Sequence, residues 1–405
     1  MQRRRFYLQT LGCRANQYDS EVLRRYLLGS GYEEVDRPQE ADVVIVNSCV
    51  VTHKAERDVR KLLSRARREG KSGAEVILTG CMVPLRRQVD ADFQGNLAEV
   101  LRHLEAHTPQ RVFRQRRARA ILKIQEGCSF RCAYCIVPRV RGPARSRPFE
   151  EVLAEARDLV RAGFQEIVIT GIQVGGWGQG LGYRLPDLFR RILDLSPRLR
   201  LRLSSLLPHY LTPDLLDFWA SEPRMARHFH LPLQSGSPRI LRAMRRPYTL
   251  DRFESLVQEI HRRMPEAAIG TDLIAGFPGE TDADFEETYR LVHRLPFAYL
   301  HVFEFSPREG TEAARLPHPV PAAVRKERVH RLIALGEAKR RAFQERHLGT
   351  LQEVLVEQRR PEGTFRGTTG NYLRVILPGP QRIGELVRVR LLRVEGKELW
   401  GEPVP

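Results

Sequence analysis

The sequence predicts an α/β protein in three parts, joined by one basic linker. Residues 1–110 read as a parallel-sheet domain, 120–346 as a partial (βα)6 barrel, and 347–405 as a small antiparallel β-barrel, with the linker at 111–119. Three observations carry this. Apolar runs alternate with amphipathic charged runs over the first hundred residues. The same alternation resumes at 120. After 349 it gives way to short β-rich runs bounded by Gly, Pro and Asn.

In the first part, RFYLQTLG (5–12), DVVIVNS (42–48) and EVILTG (75–80) read as strands, and 17–31 and 54–70 as helices. Such βαβ units build a doubly wound, Rossmann- or flavodoxin-like sheet that binds ligands at its strand C-termini. The linker RVFRQRRAR holds five Arg in nine residues, which suits a solvated connector and an RNA-contacting strip equally.

In the second part the candidate strands are 120–127, 166–173, 200–206, 228–234, 267–277 and 298–306, with helical runs such as 150–163 and 282–295 between them. Six βα units are fewer than the eight of a closed barrel, so the barrel is expected to be open, with its site at the strand C-termini. Residues 171–182 hold six glycines after the second strand, which suits a tight turn or close approach of backbone to a ligand. A long basic helix is expected over 321–349. The final strands suggest an OB-like module of the kind that binds RNA.

The chain has 405 residues, 42% of them hydrophobic, enough for ample cores. Its formal net charge is +18, from 67 basic and 49 acidic residues, which favours a polyanionic partner. Only seven of the basic residues are Lys. No apolar run is long enough to span a bilayer, and MQRRRFYLQTLG lacks a signal-peptide core, so a cytoplasmic protein with no membrane partner is expected.

The six cysteines fall into two sets. Cys128, Cys132 and Cys135 form a C-x3-C-x2-C motif, with the aromatic Tyr134 just before the last. Structural zinc wants four ligands, whereas three thiolates suit a [4Fe–4S] cube with one iron left open. Cys13, Cys49 and Cys81 each follow a predicted strand of the first sheet. Parallel strands end on one rim, so these three are expected to converge on a second such cluster; the competing reading is three separate core cysteines.

At these residues the chain resembles the radical S-adenosylmethionine enzymes. Over nearly its whole length it is similar to their methylthiotransferase family. The resemblance rests on LGCRANQYDSE (11–21), NSCVVTHKAE (47–56), GCMV (80–83), CSFRCAYCIVPRVRGPARSR (128–147), LPLQSGSPRILRAMRRPYT (231–249), GTDLIAGFPGET (270–281) and HVFEFSPREGTEA (301–313). It implies a radical-SAM core and a C-terminal RNA-binding barrel of TRAM type. Among the family's branches, GCRANQYDSE and VVTHKAE look most like the one acting on N6-threonylcarbamoyladenosine of tRNA. The other branches act on N6-isopentenyladenosine of tRNA or on an aspartate of a ribosomal protein.

The resemblance implies two [4Fe–4S] clusters, on Cys128, Cys132 and Cys135 and on Cys13, Cys49 and Cys81, and S-adenosyl-L-methionine as both radical source and methyl donor. The reaction it implies is methylthiolation of C2 of the modified adenosine at position 37, beside the anticodon. Tyr134, Gly171, Gln173, Gln234 and Asp272 become candidate cofactor contacts. Arg139, Arg141, Arg145 and Arg147 become candidate RNA contacts, or else partners in ion pairs. The implied partners are tRNA carrying N6-threonylcarbamoyladenosine, a one-electron reductase such as flavodoxin or ferredoxin, and a sulfur donor. A zinc-dependent RNA-binding module without catalysis is the rival from another class.

Overall fold

The computed structural model describes residues 3–110 and 116–404. Residues 111–115, the first half of the basic linker, lie outside the described residues.

The first sheet is wholly parallel, in the order β2-β1-β3-β4-β5. Its strands are β1 (Arg5–Thr10), β2 (Glu33–Glu34), β3 (Val43–Ser48), β4 (Glu75–Gly80) and β5 (Phe93–Gln94). The helices are α1 (Arg14–Gly29), α2 (His53–Glu69) and α3 (Leu97–His103). Alternation along the central strand explains the two-sided burial. Val43 and Ile45 pack with Leu23, Leu27 and Val100 from α1 and α3, while Val44 and Val46 pack with Val59 and Leu63 from α2. The two-residue edge strands and α3 were not anticipated, because segments this short carry no readable period. α1 starts at Arg14 rather than 17, with Cys13 as its N-cap.

The second part is an open barrel of six parallel strands: β6 (Ala120–Glu126), β8 (Glu166–Gly171), β9 (Arg200–Leu203), β10 (His228–His230), β11 (Ala268–Ala275) and β12 (Tyr299–Glu304). A short antiparallel strand, β7 (Arg145–Ser146), borders β6. Isolated bridges join β9 to β10, and among the described residues β12 and β6 do not pair. α4 (Val137–Arg141) follows the cysteine loop; α5 (Phe149–Arg161), α6 (Leu185–Leu193), α7 (Pro213–Ser221), α8 (Pro238–Ala243), α9 (Leu250–Arg263) and α10 (Asp282–Arg294) complete the set.

Outward residues such as Leu122, Ile124, Leu201 and Phe229 join one large core beneath the helices. The alternate residues Lys123, Arg202, His228 and His230 therefore face the lumen, which is polar. β10 is shorter than the 228–234 read from sequence. Pro232 offers no N–H to a ladder, and Gln234 takes a left-handed backbone with φ 76°.

The long helix α11 (Ala322–Arg346) leads into a closed barrel of β13 (Leu351–Arg359), β14 (Phe365–Thr369), β15 (Arg374–Leu377), β16 (Leu386–Glu395) and β17 (Glu398–Pro403). Its pairs are antiparallel except β15–β17, which closes the barrel in parallel.

One buried ionic cluster fastens this barrel to the core. Glu166, with its side chain fully buried, accepts from Arg200 Nε at 2.5 Å and from Arg202 Nε at 2.8 Å. The same two guanidiniums donate onward to the carbonyls of Glu353, Thr368, Thr369 and Gly370. Burial alone would raise the Glu166 carboxyl; Arg200, Arg202 and Arg119 hold it well below the usual carboxylate range.

Breaking a buried pair from one side leaves charges uncompensated. Glu166→Gln is expected to cost about 3–5 kcal/mol in chemical denaturation. Limited proteolysis should then cut between α11 and β13 before the core is degraded. Unchanged stability would show that the carbonyl bonds alone hold the two barrels together.

Candidate functional site

The three N-terminal cysteines converge at the C-terminal rim of the first sheet, around one buried asparagine. Asn16 Nδ2 donates to the carbonyls of Leu11 and Ser48, at 3.0 and 2.7 Å, tying the start of α1 to the end of β3. Its Oδ1 accepts from Cys13 Sγ at 3.5 Å and from Cys81 Sγ at 3.8 Å. Gly12 makes the approach possible. Its φ is 109°, and a Cβ there would come within 2.8 Å of Cys49 Cβ. Cys13 is exposed while Cys49 and Cys81 are buried, so the set has one open side.

The second set lies in the loop after β6. The Cys128 amide donates to the Gly142 carbonyl and the Cys135 amide to the Cys132 carbonyl, both at 3.0 Å, which folds the motif into a compact turn. A Cβ on Gly127 would stand 2.0 Å from the Pro143 carbonyl oxygen, so only glycine fits before Cys128.

Each set has its own guanidinium. Arg141, at the end of α4, donates from Nε to Cys81 Sγ at 3.2 Å, from Nη2 to Asn16 Oδ1 at 2.6 Å and from Nη1 to Asp19 at 2.7 Å. Arg246 donates to Cys132 Sγ at 3.5 Å and to Tyr134 Oη at 3.2 Å. Burial pushes the Cys81 and Cys135 thiols up to about 12, and it raises Cys49 and Cys128 too. In the first set Arg141, and in the second Arg246, pulls the other way. Cys13 and Cys49 add to the rise of Cys81, and Cys132 and Cys128 add to that of Cys135.

This donor set fits iron–sulfur clusters. Thiolates are the ligands, and a cationic iron–sulfur core supplies the charge that burial otherwise denies them. Each set offers three thiols, and no other cysteine exists in the chain.

The cofactor candidates divide between two neighbourhoods. Tyr134, Gln234 and Asp272 line one cavity of about 180 Å3 with Cys135, Val51 and Thr52, so both sets of elements contribute to its wall. Gln234 holds its strained backbone by donating its amide to the Asp272 carbonyl at 2.8 Å. Burial alone would raise the Asp272 carboxyl; His230 and His301, at 3.0 and 3.2 Å, hold it well below the usual range. Gln173 instead braces the cysteine loop, accepting from the Ser129 amide at 3.0 Å. Gly171 ends β8 against Gln125, leaving only 3.0 Å for a Cβ.

The four arginine candidates also divide. Arg141 and Arg147 face inward, Arg147 pairing with Glu155 at 2.7 Å. Arg139 and Arg145 lie on the surface, Arg139 donating to the Glu309 carbonyl at 3.0 Å. Sequence reading missed Asn16 and Arg246. Both lie inside the quoted motifs, but nothing there says which polar residue turns toward sulfur.

Comparison with known proteins covers all three parts. The radical SAM superfamily matches residues 122–292, an uncharacterized protein family (UPF0004) matches 5–101, and the TRAM domain matches 345–404. The chain is 35% identical to a threonylcarbamoyladenosine tRNA methylthiotransferase of Aquifex aeolicus, over 94% of this chain and 98% of that one. It is 37% identical to a tRNA-2-methylthio-N(6)-dimethylallyladenosine synthase of Moorella thermoacetica, over 99% of both. In fold it is similar to the radical S-adenosylmethionine methyltransferase TsrM of Kitasatospora setae, with TM-score 0.55 and 16% identity, over 75% of each chain.

The thiol geometry sets an order of reactivity in metal-free protein. At pH 8 a thiol titrating at about 12 is thiolate to on the order of 10⁻⁴. Cys13 is therefore expected to be alkylated first by iodoacetamide, and Cys81 and Cys135 last, as read by peptide mass spectrometry. Equal rates at all six would contradict the burial that raises these thiols.

Proposed function

The chain belongs to the radical S-adenosylmethionine tRNA methylthiotransferases, and on that premise we propose that it methylthiolates C2 of N6-threonylcarbamoyladenosine at position 37 of tRNA. The observation that carries this is the pairing of two three-thiol sets, on two different sheets, across the short helix α4. One set alone would serve a simple radical enzyme. A second, whose Cys49 lies two residues before Val51 in the wall of the same cavity, suits a reaction that also delivers sulfur.

In this reading Cys128, Cys132 and Cys135 hold one [4Fe–4S] cluster and Cys13, Cys49 and Cys81 another. When bound, the first with S-adenosylmethionine supplies hydrogen abstraction from an unactivated C–H bond, and the second supplies the sulfur. Tyr134, Gln234 and Asp272 would orient S-adenosylmethionine, Asp272 as a carboxylate because its two histidines keep it ionised. Arg141 and Arg246 would donate to cluster sulfur and cysteine thiolates, stabilising the more reduced charge states. The apolar lining from Val51, Ile136, Ile274 and Phe305 would exclude water from the reacting carbon.

Tyr372, Arg374 and the rest of the C-terminal barrel would hold tRNA, with Arg139 and Arg145 as further phosphate contacts. A one-electron reductase and a sulfur donor complete the set of partners. No helix among the described residues is long and apolar enough to cross a membrane. A cytoplasmic site of action follows from the tRNA substrate.

The threonylcarbamoyl branch is favoured over dimethylallyl by the relatives of Aquifex aeolicus and Bacillus subtilis, both 35% identical and both bearing that substrate in their names. The relative of Moorella thermoacetica supports the second reading. Nucleoside mass spectrometry of total tRNA decides between them. Deletion of the gene is expected to remove 2-methylthio-N6-threonylcarbamoyladenosine and accumulate its parent; loss of the dimethylallyl product instead would favour the second reading. In purified protein, Cys132→Ala should abolish 5′-deoxyadenosine release, whereas Cys81→Ala should keep that release and lose the methylthio product. Full product from Cys81→Ala would remove the second set from the reaction.

A further inference from the structure

Arg14 follows Cys13 directly and opens α1. It lines a cavity of about 580 Å3 where the first sheet, the open barrel and the C-terminal barrel meet. Ile121 and Val168 of β6 and β8 form part of its wall, and Tyr372 and Arg374 come from the C-terminal barrel.

Three neighbouring arginines, Arg119, Arg202 and the exposed Arg116, have acids, whereas Arg117 and Arg374 are exposed among the lining residues. Arg119 pairs with Glu357 at 2.8 Å and lies 3.8 Å from Glu166. Arg202 pairs with Glu166. Arg116 reaches Glu34 and Asp36. Arg14 has none: among the described residues it forms no ion pair, and its Nη1 is buried without a hydrogen-bond partner. Its electrostatic neighbours are Tyr372, Arg119, Arg202 and Tyr299. Five arginines line this cavity against one carboxylate, Glu357. Burial would raise the Tyr372 phenol, yet Arg14, Arg119, Arg202 and Arg374 together bring it below its ordinary value.

A guanidinium leaves water at a large cost unless an anion replaces the lost hydration. Arg14 is half-buried, and its buried, unpartnered Nη1, with no acid paired to the guanidinium, points to an anion supplied from outside. Two features place that anion on the modified base rather than on the RNA backbone. Arg14 is one residue from Cys13, at the site proposed to deliver sulfur. From Tyr299, a neighbour of Arg14, a hydrogen-bonded path runs through His230 to Asp272 in the cofactor cavity.

We propose that Arg14 receives the carboxylate of the N6-threonylcarbamoyl group and so sets the enzyme's choice of substrate. This rests on the threonylcarbamoyl reading given above and deepens it. Guanidinium and carboxylate match as a bidentate pair. A dimethylallyl group is a hydrocarbon; bound in the same place it would leave the buried Nη1 unpaired, and a site built for a polar group rejects the analogue that lacks it.

The test uses the cluster-loaded enzyme and anticodon stem-loop RNAs carrying, at position 37, threonylcarbamoyladenosine, its carboxamide analogue or dimethylallyladenosine. Binding is read by fluorescence anisotropy under anaerobic conditions, and product by mass spectrometry. The wild type is expected to bind the carboxylate RNA about tenfold or more better than the carboxamide, the range of a charge-assisted hydrogen bond. Arg14→Gln should bring that ratio near one, and Arg14→Lys should keep part of it. Equal binding of both RNAs by the wild type overturns the proposal and needs no variant. So does an Arg14→Gln loss that is the same for both RNAs, which would mark a phosphate contact. If the wild type modifies the dimethylallyl RNA and neither threonylcarbamoyl RNA, the substrate reading itself has failed.

Discussion

The interaction on which this architecture depends is the reach of Arg141 from one cysteine motif into the other. Arg141 ends α4, six residues after Cys135, yet its guanidinium contacts Cys81 Sγ, Asn16 and Asp19 of the first sheet. This side chain therefore ties together two thiol triads carried by separate parts of the chain. The apolar face of α4 works in the same direction: Ile136 and Val140 join the core that also contains Cys81, Met82 and Val59. Lys123 adds a further bond to Asp19 from the barrel side. Buried charge is costly, so such a contact persists only where each donor and acceptor is matched.

The C-terminal barrel is attached on a similar principle. Glu166 pairs with both Arg200 and Arg202, whose remaining donors are spent on backbone carbonyls of the last domain. Arginine suits this because its rigid fork can serve a carboxylate and two carbonyls at once, which an ammonium cannot do with the same geometry. This gives a structural use for many of the 60 arginines that composition alone assigns to nucleic acid. The excess of positive charge remains, but its interior share binds the protein to itself. What is left unpaired, above all at Arg14, is correspondingly informative.

The two barrels and the first sheet also share the lumen. Lys123, Arg202, His228, His230, Asp272 and Tyr299 lie on alternate positions of strands whose other residues build the core, so strand periodicity alone turns them inward. His228 stacks on Tyr372 with ring centroids 4.2 Å apart, which brings the C-terminal domain to the wall of the same space. A substrate bound there would touch all three parts of the chain.

The sequence by itself determined the fold class, the two cysteine sets and the family, because hydrophobic period, strand-end position and motif spacing are local properties. Cys49 and Cys81 directly follow strands that are fully or mostly buried, and no tertiary knowledge was needed to see it. The tertiary structure alone decided which polar side chains face sulfur. Arg141 and Arg139 sit two residues apart in one motif, yet the short helix turns one inward and the other to solvent. Asn16, Arg246 and Arg14 are equally ordinary in the sequence. Their roles come from desolvation and from which groups stand opposite them, Cys81 and Arg141 for Asn16 and Cys132 and Tyr134 for Arg246, all of them tens of residues or more away along the chain.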